Sequence, residues 1–596
     1  MNRLGTLRPV RIANCSGFYG DRATAMYEQV EGGEIDVLTG DYLAEVTMLI
    51  LAKARIKRAD AGYASTFLTQ LDQCLETVAS RGIRVVVNAG GLNPEGLAEK
   101  VRSLLAERQV ELRVSYLEGD NLMPRLAELG GNSGLVHAET GAPLSSWGLD
   151  PICANAYLGA FGIAKALETG ADIVITGRVA DASLVAGAAA WWWGWDEADY
   201  AELAGAVAAG HVIECGPQAC GGNFSGFRSM SRGKLPGFPI AEIESDGSAT
   251  ITKHSNTGGT VTVDTVTSQL LYEIGSPTYL NPDVSVHLDT VALAQLAPDR
   301  VRMSGTIGSP PPLTTKVSVC AVDGWRNSAT LLLTGLDVDE KAESVEELLG
   351  HYAELPEVYE VKFERIGAVA SDAQDQLAAT SMLRVSIAGA ESVAGRSFSS
   401  SLAEMALSGY PGFYMSSPPT AGQSRGVYWP GLIDTAYISQ VVKIDREEPY
   451  VVRRVDHVRL PTLVADGAPH TQGTPRDWGA TVAAPLGRVV HARSGDKGGN
   501  VNVGVWGFTA DVSDWLLSAL TLDAFQLLMP ETVGRRIERH VFPNLGGLNF
   551  VIFGILGDGA ASNLGLDAQG KGFGEWLRFR RMEVPERFLG KSAGTW

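Results

Sequence analysis

Positive charge is in short supply in this chain. Its 596 residues carry 49 Lys and Arg against 68 Asp and Glu, a net charge of -19. So acidic a protein is a poor partner for nucleic acid or for an anionic membrane, both of which need a basic face. A local site for a small anionic ligand is not excluded. Cysteine is scarce as well, with six residues at 15, 74, 153, 215, 220 and 320. That is too thin for a disulfide framework and fits a reduced, cytoplasmic setting. No run approaches the roughly 18 uncharged apolar residues of a membrane span. The early arginines precede no continuous apolar segment, so no signal peptide is expected. Also missing are GxGxxG, the Walker A loop, CxxC and HxxxH, which weakens dinucleotide, nucleotide-transfer and zinc readings. GNFSG misses the GxSxG elbow by one position, so a hydrolase triad is unsupported.

What is present is a grammar of strands and helices. VRIA, IDVLTGDYL, IRVVVNAGG and LRVSYLEGD read as buried strands that end in polar or Gly-rich loops. Helical stretches, Ala44–Lys57 and Thr66–Arg81 among them, separate these strands. The pattern repeats in a helix over Tyr157–Thr169, a stop at Gly170 and the strand DIVIT. Such alternation predicts a mainly parallel sheet in an α/β core over residues 1–215. From Gly216 the grammar shifts to hairpins, with turns at Asp246-Gly247 and a break at Asp323-Gly324, so 216–459 is expected to be an α+β second part. Residues 460–480, rich in Gly, Pro, Thr and Asp, read as a linker. A compact α+β unit over 481–596 follows, with helices expected at Asp514–Leu528 and Pro530–His540.

Several loops carry candidate chemistry. In NCSGFYGDR, Ser16, Gly17 and Gly20 follow the first strand. They form either a tight turn capped by Asp21 or a cradle whose backbone N–H groups meet an anion. The loops after later strands hold Asp41, then Asn88, Gly90 and Gly91, then Arg178 and Asp181. Ligands bind beyond the carboxyl ends of strands in open α/β sheets, so neighbouring strands would bring these loops to one crevice. There Arg178 suits a carboxylate or phosphate, and Asp41 and Asp181 are candidate general bases, though caps and loop residues are the commoner use of such aspartates. His254 titrates near neutrality and is a further acid–base candidate. Glu45 and Glu404 read as surface or capping charges. ECGPQACGGNFSGF offers a substrate loop around Gly221 and Asn223; His211, Cys215 and Cys220 lack the partners of a metal site, so none is expected. Trp191, Trp192 and Trp193 wall a pocket or a subunit contact. Arg493, Asp496 and Lys497 in HARSGDKGGN form a secondary anion site or a plain β-turn.

Taken together, RIANCSGFYGDR, DVLTGDYLAE, VVNAGGLNP, GADIVITGRVADASL, ECGPQACGGNFSGF and ITKHSNTGGTVT resemble the acyclic terpene utilisation family called AtuA. ARSGDKGGNVNVGVW and LNFVIFGIL resemble its companion ferredoxin-like domain. The likeness runs from about residue 8 to 590, with both parts fused in one chain. It implies a role in catabolism of citronellol- and geraniol-type acids through acyl-CoA intermediates, beside a biotin-dependent acyl-CoA carboxylase. It transfers no catalytic residue. The expectation is an enzyme acting on branched or acyclic-terpenoid acyl-CoA or carboxylate substrates, by acid–base addition–elimination or C–C cleavage. No cofactor is expected beyond coenzyme A as part of the substrate, and a homo-oligomer is. The alternative is a non-catalytic partner of the carboxylase.

Overall fold

The computed structural model describes residues 8–590, apart from 130–133, 231–232, 445–446 and 453–475. Most of the expected linker, 460–475, lies outside the described residues. Strands Val10–Asn14 (β1), Val37–Gly40 (β2), Arg84–Val87 (β3) and Val114–Glu118 (β4) are buried almost throughout. They show no polar alternation because helices cover both faces. Ile12, Val37 and Val86 pack beneath the helices Phe161–Glu168, Ser183–Trp193 and Tyr200–Ile213. Their neighbours Ala13, Leu38 and Val85 face Ala25–Glu31 (α1), Thr66–Asp72, Leu75–Arg81 and Pro94–Arg108. The strand Ile173–Ile175 lies between β3 and β4, and all five strands run parallel. Their carboxyl ends therefore share one edge of the sheet.

The sheet as a whole is not mainly parallel. It has eleven strands, and six of its ten pairings are antiparallel. Pro239–Ile243, Ala249–Lys253, Arg300–Ser304 and Ala292–Ala297 extend it beyond β1, while Val441–Ile444 and Tyr450–Val451 extend it beyond β4. The physical reason is the connection type. The expected turn at Asp246-Gly247 is there, with Gly247 at φ 76°, and tight hairpins of this kind join antiparallel strands only. These strands from the second part of the sequence thus complete the first sheet.

A second, antiparallel sheet is organised around one long strand, Thr314–Thr334, paired with Thr380–Gly389, Gln423–Asp434 and Pro151–Ala156. Asp323-Gly324 does not break it. The register against Gln423–Asp434 shifts between Val322 and Trp325, and the strand continues; an extra residue is absorbed as a bulge. In the C-terminal unit, Val490–Lys497, Asn500–Gly507, Gly547–Ile552 and Ile537–Phe542 form a sheet in that order. The succession strand, helix, strand, strand, helix, strand holds from Asn500 to Pro585. The last strand, Arg581–Pro585, leaves that sheet and pairs with Thr481–Pro485. Pro530–His540 is not a helix: one 3₁₀ turn, Pro530–Thr532, stops before Gly534 at φ 79°, and Ile537–Phe542 enters the sheet. Among the described residues no helix is long and apolar enough to cross a membrane.

Candidate active site

The strand ends do converge. After β1, the buried Asn14 donates from Nδ2 to the carbonyl oxygens of Ser16 (2.9 Å) and Ile213 (2.7 Å), which ties this loop to the end of the helix Tyr200–Ile213. The Asp41 N–H, after β2, donates to Ser16 O at 3.0 Å. After β3, Asn88 donates to Asp41 Oδ1 at 2.5 Å and accepts the Tyr42 N–H at 2.7 Å. After Ile173–Ile175, Arg178 donates from Nη1 to Asp181 Oδ1 at 2.7 Å and to Leu43 O at 3.3 Å. The Arg178 guanidinium stacks on the Tyr157 ring, 4.1 Å from its centre. Asp120, after β4, completes the row by accepting the Arg178 N–H at 2.9 Å.

Around this row the structure gathers further charge. Glu214 ends the helix Tyr200–Ile213 and meets His211 Nδ1 at 3.2 Å. Glu45 opens α2, Glu45–Lys57. Lys316 comes from the long strand of the second sheet, Glu273 follows the helix Val263–Leu270, and Lys497 arrives from the C-terminal unit. Burial and the neighbouring Asp181 charge push the Asp41 carboxyl well above its usual range, against the pull of Arg178. Burial raises Asp181 too, and Arg178 opposes it. Glu214 is raised well above its usual range by burial, Asp181 and Glu273. Glu45 is pushed up to about 7 by burial and Asp496. Lys316 is pushed down to about 7, first by Lys497 and then by burial. Burial holds His211 down at about 4, so that imidazole is neutral at pH 7. Acids pushed upward beside amines pushed downward are equipped for proton transfer.

The joint between the two units is part of this site. Asn502 donates to Leu271 O at 2.7 Å and accepts the Glu273 N–H at 2.9 Å. Asn549 donates to Gly275 O at 2.8 Å. These bonds hold Glu273 at φ 55°, in the left-handed region. Lys497 Nζ donates to Glu273 O, and Lys571 Nζ reaches Asp496 at 3.1 Å and Tyr272 Oη at 2.5 Å. An apolar slot lined by Leu49, Cys320, Val427, Tyr428 and Ala561 leads to Glu45. A wider open groove past Pro311, Pro312 and Thr435 meets the cluster only at Tyr157 and carries none of its paired acids and amines. The charge cluster is therefore the candidate site.

Of the residues singled out in the sequence, Ser16, Asp41, Asn88, Arg178 and Asp181 meet at the sheet edge, and Asp496 and Lys497 join them across the joint. Their site is thus continuous with the first cluster. Arg493 instead braces that joint: it donates to Asn223 O at 3.2 Å and to Gln218, and stacks on Tyr272. The glycines serve close approach. A side chain on Gly17 would sit 2.7 Å from the Cys215 backbone, one on Gly90 2.5 Å from Thr176 O, and one on Gly20 2.7 Å from the Phe18 ring. The Gly17 and Gly91 N–H groups donate to Asp21 and Asn88 O. Gly221, at φ 98°, turns the loop toward Asn223. His254 engages α1, with Nε2 at 2.9 Å from Gln29 O and its ring against Gly32 and Gly33. Trp193 bonds to Ile243 O at the end of its helix. Glu45, Glu214, Glu273 and Lys316 were not foreseen. Glu45 had a signal, since it closes the loop DYLAE that begins at Asp41. Lys316 had none, because strand pairing alone brings it here.

Among the described residues no group of three or more His, Cys, Asp or Glu is arranged to hold a metal ion, and the cysteines are free thiols. No match emerges among curated proteins, and none among solved structures. The family model described as AtuA ferredoxin-like domain matches residues 484–583. The one described as Acyclic terpene utilisation family protein AtuA matches residues 10–444, most of the chain. This protein belongs to the acyclic terpene utilisation AtuA family, with its ferredoxin-like domain fused behind the core.

Proposed function

We propose that the chain is a cytoplasmic catabolic enzyme for branched or acyclic-terpenoid carboxylates or their acyl-CoA esters. It works by proton transfer, in an addition–elimination or a C–C cleavage. The observation that carries this reading is the pairing of Asp41 with Asp181. Asp41 is buried and its carboxyl is pushed well above its usual range, while Asp181 keeps part of its surface and is ion-paired to Arg178. Two carboxyl groups in unlike surroundings divide acid and base roles between them. Asp41 delivers the proton and Asp181 removes one. Lys316 and Lys497 attract the anionic end of the substrate, since Arg178 is already committed to Asp181 and Leu43.

The test is a melt of the whole chain with a panel of branched acyl-CoA esters, followed by turnover of whichever ester binds. A ligand at 100 times its Kd stabilises by about 2.7 kcal/mol. Asp41→Asn and Asp181→Asn should each cut turnover by about 10²–10⁴-fold, the usual weight of a general acid or base. Full turnover in both variants removes the reading. If no ester shifts the melt and an acyl-CoA carboxylase co-purifies, the chain is a non-catalytic partner instead.

A further inference from the structure

We propose that Ser225 is the nucleophile of a second site, which cleaves esters or thioesters of apolar acids. This activity goes beyond the function above and uses none of its residues. Ser225 lies in the loop between Gly216–Cys220 and Phe227–Ser229. Its Oγ lies 2.9 Å from Nδ1 of His491, which comes from the strand Val490–Lys497 of the C-terminal unit. The other ring nitrogen, Nε2, faces Asp264 Oδ2 at 4.0 Å. Asp264 sits in the first turn of Val263–Leu270, which a capping box of Thr262 with Thr265 fixes, and Trp506 Nε1 donates to its Oδ1 at 3.1 Å. The chain has no GxSxG elbow, so the joint between the two units brings together what a single motif starts elsewhere. Such a group of three is recognised by its geometry and roles, whatever its order in the sequence. It is not sealed off: Ser225 keeps 8% of its surface, and the His491 and Asp264 side chains keep 12% and 46%.

His491 stands among the rings of Phe224, Trp506 and Phe508, at 4.7, 5.4 and 4.4 Å between centres. Burial there and the Arg578 charge hold it down at about 3, so at pH 7 the ring is the neutral form that accepts a proton. Asp264 counters the imidazolium once it forms, and catalytic contacts that are long in a free enzyme tighten around bound substrate. Gly226 follows the nucleophile, and a side chain on it would lie 3.1 Å from the His491 ring. Among the described residues the Ser225 and Gly226 N–H groups meet no acceptor. The N–H after a nucleophilic serine is the one that receives an oxyanion in such sites. Phe227 and Phe508 are exposed beside these groups and offer apolar surface to an acyl chain. Ser225 Oγ attacks the carbonyl carbon, and its proton passes to His491 Nδ1. The bond to the leaving oxygen or sulfur breaks, and that atom departs with the proton from His491. Water then attacks the acyl-serine and gives a proton to His491. The acid leaves as Ser225 takes that proton back.

The experiment is labelling of the whole chain with diisopropyl fluorophosphate, which an activated serine attacks at phosphorus with loss of fluoride. Peptide mapping of the wild-type chain should place the phosphoryl group on Ser225, and Ser225→Ala should lose it. His491→Gln keeps an acceptor for the Ser225 hydroxyl but no base. Labelling should then slow at least a hundredfold while the melt stays near wild type, whereas a His491 that only joins the two units would leave the rate unmoved. Asp264→Asn should slow labelling less, and Asp264→Glu should restore part of the rate. No label on Ser225 overturns the proposal, even where a variant fails to fold, and so do equal rates in wild type and either His491→Gln or Asp264→Asn. p-Nitrophenyl butyrate and butyryl-CoA distinguish an oxygen from a sulfur leaving atom, and cleavage of neither overturns it as well.

Discussion

Asn502→Ala tests whether the C-terminal unit holds the site in shape. Asn502 is buried, and it satisfies Leu271 O and the Glu273 N–H together. Alanine leaves both backbone groups unpaired in the joint. Each such loss costs about 1–3 kcal/mol, so the segment Leu271–Gly275 should open more easily by about 3 kcal/mol, roughly a hundredfold. Glu273 adds to this effect, because a non-glycine residue in the left-handed region is held there by its surroundings. Native-state hydrogen exchange at the Glu273 amide reads the local opening directly. Asn544→Ala is the control. It removes two bonds of 2.9 Å across the same joint, to Leu288 O and Val291 O, but touches a different segment. Protection at Glu273 should fall in the first variant and hold in the second, and binding of a branched acyl-CoA ester should weaken only in the first. Equal protection at Glu273 in wild type and Asn502→Ala would refute the argument.

Two further perturbations bear on the buried charges. Arg178→Ala removes the cation that restrains both Asp41 and Asp181. Breaking a fully buried pair costs about 3–5 kcal/mol, and since the Asp181 side chain is 27% exposed the loss should be nearer ~2 kcal/mol, read from the urea midpoint, with turnover reduced at least a hundredfold. An unchanged midpoint and rate would place the site elsewhere. Asp120→Asn addresses pH. Burial raises the Asp120 carboxyl to about 6, above its unfolded value near 3.9. The folded state therefore keeps a proton between those values. The stability this confers is present below pH 4 and is lost as pH rises to about 6, a change of ~3 kcal/mol. Asparagine does not titrate, so the variant should lack this part of the decline in stability between pH 4 and 7, and an identical slope in thermal melts would show that Asp120 is not the source.

Much of the parallel core was legible because each strand there carries its own signal. An uninterrupted apolar run followed by a small or polar loop marks a doubly covered strand, and β1 to β4 all have it. The loops after them could be matched to one crevice because parallel strands point their ends the same way. The hairpins were equally legible as hairpins, but not their destination. Nothing local in AEIESDGSATITK says whether it pairs with β1 or with a sheet of its own, since edge choice is decided by long-range packing. Gly324 misled for a related reason: a glycine at positive φ looks like a turn, and here it is absorbed within a 21-residue strand. The glycines of the first loops were open to a tight turn or an anion cradle, and Gly17 and Gly90 lie where neighbouring backbone takes the place of a side chain. Lys316 was invisible because a lysine between Thr315 and Val317 is the ordinary outward-facing residue of a strand. Only strand pairing brings it beside Tyr157 and the edge of the first sheet.

The fusion of the two units follows from the electrostatics of the cluster. Asp181 and Glu214 raise Asp41, Asp181 raises Glu214, and Glu273 raises Asp181 and Glu214. The core answers these acids with Arg178 and Lys316. Lys497, from the C-terminal unit, is lowered by burial and raised by Glu273, Glu214, Asp181 and Glu45, so it is attracted by four carboxylates at once. It also lowers Lys316. A core without the C-terminal unit would lack that ammonium, and Glu273 would no longer be pinned by Asn502. The C-terminal unit thus acts as more than a lid. It shifts the ionisation of residues it does not carry, Lys316 downward and Glu45 upward, and covalent linkage keeps its charges at a fixed place and ratio in every molecule.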